Sequence, residues 1–483
     1  MTTTQMVSPK TFRIVGFILL GGGFLCYFMA TRDVQFTIAT NQITYRPIVA
    51  EDLMLKPSLK STTNKPPESS GLKSPMNLFD VSSVNKTLNS ELKPEVAKQS
   101  EVKIRTFAPV HSLTMAQDPT KNQTILSNDK IVIIVAYMRT GSTLTASLLQ
   151  EYPKTFYVFE PIRYIMDIYK QIHSKNKTTM TLEYLHSKPW VVNKSDENDV
   201  ILQEINSWLT CDLDSISTGS LSDPFHKYYT KIMKEFYFCY NGYSSRMLVQ
   251  RSDPNMQPRL RKYYTNKQNI DACLKNVINK CKSTPLRVLK FIRLRMRFIL
   301  DLLPLYPNMK IIHLVRDPRG ILNSRIKVKA VDTEYLNTAK GLCDNTNNNL
   351  KYTKQILKSY PNRLKILHYE SLAEHPMEVA AEIAKFSEVN FTKSMQNFIR
   401  LQTSSSRDAC DYCTQRKNSS LTAYKWRNQL LAERANLVYN MCKKSNEVFG
   451  YLPFNSSKEQ HDFDKPARKI VDSAALLLSS DNY

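Results

Sequence analysis

Two short stretches carry residue types suited to gripping anions. The first is Arg139-Thr140-Gly141-Ser142-Thr143. It joins an unbroken apolar run, Ile131 to Ala136, to a segment in which Leu144, Leu148 and Leu149 recur at helical spacing until Pro153. A strand, a polar loop and a helix in that order aim backbone N–H groups and a helix dipole at the strand's carboxyl end, where anions bind. Gly141 lets the backbone come close, Ser142 and Thr143 add hydroxyl donors, and Arg139 brings charge with bidentate geometry. No Gly-Lys pair occurs in the chain, so the loop is not a Walker A motif. Taken alone, it also reads as an ordinary strand-to-helix turn capped by Ser or Thr.

The second stretch is Arg316-Asp317-Pro318-Arg319, running on to Ser324-Arg325 after the apolar run Lys310 to Val315. Pro318 suits a first helical position, which puts Ser324 between one and two turns into the helix. A phosphate would then touch Arg316 and Ser324 together, with Arg319 or Arg325 nearby. The plainer reading is a solvated basic helix start.

These loops need a scaffold that brings them together. Besides the first run, Arg287 to Ile292, Lys310 to Val315 and Leu364 to His368 read as strands, and Asn347 to Ser359 and Pro376 to Phe386 as helices. Strands alternating with helices predict a three-layer α/β domain with a mostly parallel sheet, whose ligands bind at the carboxyl ends of the strands. That domain spans 129–453. The polar segment 454–483, with a brief apolar patch at Ala474 to Leu478, reads as a tail outside the core.

The 483 residues carry a formal net charge of +24, which calls for a polyanionic partner or a heavily anionic ligand. Compartment narrows the choice. Ile14 to Ala30 is an uncharged run behind Lys10 and Arg13, favoured here as an uncleaved signal anchor over a signal peptide because it lacks a clean A-x-A site. The basic residues on its short side predict a cytosolic tail 1–13, a membrane helix 14–31 and a lumenal remainder. Residues 32–128, rich in Ser, Thr, Lys, Pro and Asn, read as a flexible stem. Of nine cysteines, eight fall beyond the membrane run, an even number that suits disulfides in an oxidising compartment. Cys410-x-x-Cys413 also has the form of a redox or zinc pair, but it has no second CxxC and no His at ligand spacing, which favours a structural disulfide. N-x-[ST] sequons at Asn85, Asn122, Asn176, Asn193, Asn390, Asn418 and Asn455 support the lumenal placement weakly. No nucleic-acid motif accompanies the charge.

Both anion-binding stretches together resemble the sulfotransferase superfamily, and specifically the Golgi carbohydrate 6-O-sulfotransferases. Three further segments are similar to that family in the same order: Phe156-Tyr157-Val158-Phe159-Glu160-Pro161, Tyr369-Glu370-Ser371-Leu372, and Tyr424-Lys425-Trp426-Arg427 followed by Cys442 and Gly450-Tyr451. Thr140, Thr143, Asn323 and the Cys410/Cys413 pair depart from its usual filling. The resemblance implies a P-loop-like parallel-sheet sulfotransferase domain behind a single N-terminal membrane helix. It implies PAPS (3′-phosphoadenosine 5′-phosphosulfate) as donor, without a metal. Arg139, Thr140, Gly141, Ser142 and Thr143 would take its 5′-phosphosulfate, and Arg316 and Ser324 its 3′-phosphate. It also implies a glycan acceptor, sulfated at the 6-hydroxyl of galactose or an N-acetylhexosamine, and a type II Golgi membrane protein; an oligomer stays open.

Where cytosolic relatives place a Lys, Arg139 stands, so it would act electrostatically on the leaving group. Glu160 is the leading base, at an offset resembling that of the catalytic Glu in Golgi tyrosine sulfotransferases. Phe156, Tyr157, Phe159 and Tyr164 would partly desolvate it and raise its pKa. A helix-start cap or a salt bridge with Arg163 is the alternative role for this carboxylate, and His313 and His368 read as packed. Tyrosine sulfation and a non-catalytic glycosaminoglycan binder are the competing functions.

Overall fold

The computed structural model describes residues 17–20, 23–26, 129–174, 177–240, 258–331 and 335–483. The chain divides into two units, Met1–Ile48 and Val49–Tyr483. In the first, Phe17–Leu20 and Gly23–Cys26 pair as antiparallel strands, Leu20 opposite Gly23. This departs from the membrane helix expected over 14–31: among the described residues, no helix is long and apolar enough to cross a membrane. Gly23, which begins the second strand, supplies a physical reason, because a glycine costs a helix about 1 kcal/mol relative to alanine. The rest of that run, the tail 1–13 and the stem 32–128 lie outside the described residues.

The second unit is built on five strands, β1 (Lys130–Val135), β2 (Thr155–Phe159), β3 (Leu286–Phe291), β4 (Met309–Val315) and β5 (Leu364–His368). They pair in the order β2-β3-β1-β4-β5, all parallel. β1 is central and buried on both faces, which is why its sequence is continuously apolar. Ile131, Ile133 and Val135 enter one apolar cluster, and Val132, Ile134 and Ala136 the other. Helices cover both faces. Leu148 of α1 (Ser142–Gln150) packs on the second cluster; on the first pack Ile168 of α2 (Arg163–His173), Ile205 of α3 (Glu197–Thr210) and Leu274 of α4 (Pro258–Lys282). Further along come α5 (Pro318–Lys327), α6 (Tyr335–Ser359), α7 (Tyr369–Glu374), α8 (Pro376–Phe386) and α9 (Lys393–Thr403). The expected three-layer parallel α/β domain is thus present.

Three details differ from expectation. The aromatic run Thr155–Phe159 is a fifth strand, and the helix expected from Asn347 begins at Tyr335. The third concerns 454–483, expected outside the core. Phe454, Ala467 and Leu477 are buried, Tyr451 bridges to Arg468, and His368 at the end of β5 bonds Ser473 at 2.9 Å. Few apolar residues do this work; buried Arg427 fixes the segment instead by donating to the carbonyls of Gln460 and Lys465. That polar anchoring leaves no hydrophobic signature in sequence.

All eight cysteines of the domain pair, as Cys211–Cys281, Cys239–Cys273, Cys343–Cys442 and Cys410–Cys413. His313 and His368 are packed as expected; burial lowers their pKa values to about 4 and about 3.

Candidate functional site

After β1 the chain crosses to β2 on one side of the sheet, while β4 lies on β1's other side, so a crevice opens at their carboxyl ends. Both arginine stretches arrive there and line a cavity of about 440 Å³. Arg139 and Gly141 hold left-handed backbone conformations, with φ of 76° and 87°. At Gly141 a Cβ would lie 2.4 Å from the ring of Tyr369, so only glycine fits. No side chain caps α1 at this position, which leaves its first N–H groups facing the cavity with Ser142 and Thr143. Thr140 does not join them. It is buried, and both its hydroxyl (2.7 Å) and its amide (3.1 Å) donate to the Tyr137 carbonyl, so it shapes the loop and has no donor left for a ligand.

The second stretch meets the first directly. Arg316 donates to the Arg139 carbonyl at 2.9 Å, and Arg139 Nε donates to Ser324 Oγ at 2.9 Å. Tyr369 joins them, its ring beneath Gly141 and 4.3 Å from the Arg316 guanidinium. Pro318 opens α5 as expected, with Asp317 capping it. Glu370 accepts from the Asp317 amide and from the Tyr451 hydroxyl, bracing the turn that carries Arg316. Arg319 turns away from the cavity: it is fully buried, paired with Asp317 at 2.8 Å and set 4.2 Å from the Trp426 ring. Arg325 donates to the Met138 carbonyl.

Charge separates this wall from its surroundings. Among the described ion pairs, none gives Arg139, Arg316 or Arg416 a carboxylate partner, although all three line the cavity. Burial lowers the Arg139 pKa, and the nearby Arg316 and Arg416 charges lower it further. Arg316 Nε is buried without a hydrogen-bond partner. Three guanidinium groups brought together without a carboxylate paired to any of them among the described ion pairs make a site for a multiply charged anion.

Glu160 sits at the carboxyl end of β2, also in a left-handed conformation (φ 53°), and lines the same cavity at 2% exposure. Burial is as expected, but the surroundings are not purely aromatic. One carboxylate oxygen accepts from Lys290 Nζ and the other from Arg293, each at 2.9 Å. Arg163 pairs instead with Asp167 (3.0 Å) and Asp223 (2.7 Å), so the salt bridge considered for it does not form. Tyr164 packs its ring over Gly219. Lys290 and Arg293 were missed in sequence, yet a signal existed: a lysine inside a buried parallel strand needs a counter-charge. Burial pushes the Lys290 pKa down, opposed by Glu160. Also missed was the loop carrying Asp408, Asp411 and Tyr412, which closes the cavity.

Comparison with known proteins agrees with this geometry. A model described as the sulfotransferase family matches residues 132–393, more than half the chain. Carbohydrate sulfotransferase 3 of Tetronarce californica is 24% identical, covering 74% of this chain and 78% of that protein. Carbohydrate sulfotransferase 3 of Mus musculus is 24% identical over 66% of this chain and 67% of its own length. Carbohydrate sulfotransferase 1 of Danio rerio is 23% identical over 68% and 79%.

Proposed function

Because the chain belongs to the sulfotransferase family, we propose that it transfers sulfate from PAPS to a sugar hydroxyl, the 6-hydroxyl of galactose or an N-acetylhexosamine on a glycoprotein or glycosaminoglycan. The carrying observation is the set of three guanidinium groups around the Gly141 loop, none of them in a described ion pair with a carboxylate. A donor bearing a phosphosulfate and a second phosphate supplies the charge they lack. The names of the relatives, all carbohydrate sulfotransferases, support a sugar acceptor.

The residues present fit the donor. Ser142, Thr143 and the uncapped start of α1 would hold the phosphosulfate with Arg139, while Arg316 and Ser324 would hold the 3′-phosphate. In the reaction the acceptor oxygen bonds to sulfur as the bond from sulfur to the 5′-phosphate oxygen breaks. Arg139 stabilises the charge that builds on that leaving oxygen. Glu160 takes the acceptor proton; Lys290 and Arg293 each occupy one of its oxygens from one direction, and a second lone pair on each remains for the hydroxyl. We place the chain in the Golgi membrane as a single-pass type II protein, a reading supported by the basic flank of its N-terminal apolar run and by the fully paired cysteines.

The test is to incubate the full-length chain with radiolabelled PAPS and keratan, chondroitin, N-acetylglucosamine-terminated glycans and a tyrosine peptide. Label on a glycan is the expected result. Label on the peptide alone would replace the sugar reading with tyrosine sulfation, and absence of PAPS binding would overturn the donor assignment.

A further inference from the structure

Apart from Arg416, the loop that closes the cavity has no role in the chemistry above. It leaves α9 and returns through Cys410-Asp411-Tyr412-Cys413. Asp408, Asp411, Tyr412, Cys413 and Arg416 line the cavity. The tetrapeptide is a covalently closed turn: the Cys410–Cys413 bond spans it, and the Cys413 amide donates to the Cys410 carbonyl at 3.0 Å. Its base is fastened by backbone bonds, Ser405 to Arg416 (2.9 Å), Ala409 to Gln415 (3.1 Å) and Arg416 to Gln402 (2.8 Å). Its tip is tied to the end of α5, with Lys327 on Asp411 at 2.8 Å and the Tyr412 hydroxyl on the Val328 carbonyl at 3.1 Å.

What this braced turn holds is Arg139. The Arg139 guanidinium donates to the Asp411 carbonyl and lies 5.2 Å from the centre of the Tyr412 ring, while its Nε reaches Ser324. Left alone, a half-buried arginine beside Arg316 and Arg416 gains by swinging toward water, away from like charge. A carboxylate would hold it but would cancel the charge an anionic donor needs. A carbonyl dipole and an aromatic face hold it and leave the charge intact.

We propose that the disulfide-closed turn Cys410–Cys413, through Tyr412, is the positioning device for Arg139 and presents its guanidinium ready-oriented to the phosphosulfate. Tyr412 acts through Arg139 and does no chemistry itself. The proposal rests on the PAPS reading of the cavity.

The experiment uses the full-length chain and reads PAPS affinity by calorimetry, kcat and acceptor KM by transfer, and Tm. Tyr412→Ala lowers PAPS affinity and kcat together, about tenfold each, with acceptor KM and Tm unchanged. Tyr412→Phe keeps the ring and stays within about twofold. Cys410→Ser/Cys413→Ser, which leaves the other three disulfides intact, loses about threefold to tenfold and carries the same test if Tyr412→Ala does not fold. In an Arg139→Ala background, Tyr412→Ala costs no further PAPS affinity. An undiminished loss in that background, or no loss in the intact one, overturns the proposal while the sulfotransferase reading stands. A wild-type chain that binds no PAPS overturns both.

Discussion

The two walls of the cavity handle charge in opposite ways. On the wall made by the Gly141 loop and the start of α5, Arg139 and Arg316 face Arg416 with no carboxylate among the described ion pairs. On the wall that follows β2, each charge has its partner: Glu160 lies between Lys290 and Arg293, and Arg163 between Asp167 and Asp223. Clustered like charges in a partly buried crevice are costly, and a ligand of opposite sign removes that cost when it binds. The first wall is therefore built for affinity. The second is already neutral in its pairs and gains nothing from an anion; what it fixes is the position of one carboxylate. Binding and proton transfer are assigned to different walls, and variants on either side test that division.

Arg139→Ala is expected to make the largest change, because on the proposed reading it takes away the positive charge that faces both the bound donor and the leaving oxygen. We expect kcat/KM for PAPS to fall about 10³-fold, shared between weaker binding and slower transfer. Glu160→Gln keeps the shape of the second wall and removes its proposed base. Its kcat falls about 10²-fold while PAPS affinity stays within about twofold, measured by calorimetry and single-turnover transfer. Equal losses of PAPS affinity in the two variants would erase the division between walls.

Arg316→Ala and Ser324→Ala sharpen the first wall without touching the reacting sulfur. Arg316→Ala is expected to weaken PAPS about thirtyfold and Ser324→Ala about threefold, with kcat nearly constant in both. A large kcat loss in Ser324→Ala would instead mean that its hydroxyl acts mainly by orienting Arg139, to which it is bonded at 2.9 Å.

The first wall was legible in sequence and the second mostly was not. Arg139, Gly141, Ser142, Thr143, Arg316 and Ser324 were read from two local patterns, because a strand-end loop and a helix start each declare themselves within a few residues. Thr140 was misjudged for the same reason: a hydroxyl in a loop looks the same whether it faces a ligand or the Tyr137 carbonyl. Glu160 was found by its place after the first helix, but its partners lie on β3 and just past its end, more than a hundred residues away in the chain. Long-range pairing of that kind leaves only an indirect trace, here a lysine stranded in an apolar strand. Four of the five strands were read, since parallel strands buried on both faces are continuous apolar runs. The aromatic β2 was missed because it was read for its resemblance and not for its strand pattern. The packing of 454–483 rests on buried arginines and carbonyls, which hydropathy does not register.

The smallest expected effect probes the balance of the second wall itself. Burial lowers the Lys290 pKa, and the Glu160 carboxylate opposes that shift. In Glu160→Gln the opposing charge is gone while the burial remains, so the folded-state pKa of Lys290 drops further below its unfolded value. A lysine in that condition binds fewer protons folded than unfolded over the window between the two values. Stability therefore rises as pH rises through that window, and falls toward its lower end. Below the folded-state pKa of Lys290 in the wild type, the melting temperature of Glu160→Gln should climb relative to wild type as pH rises, by up to about 1.4 kcal/mol per pH unit, or a few degrees. Arg139→Ala should show no such relative climb, because it leaves the Glu160–Lys290 pair untouched. Parallel melting curves for the two variants would mean that Lys290 does not depend on Glu160, and the second wall would then be held by packing and not by its pairs.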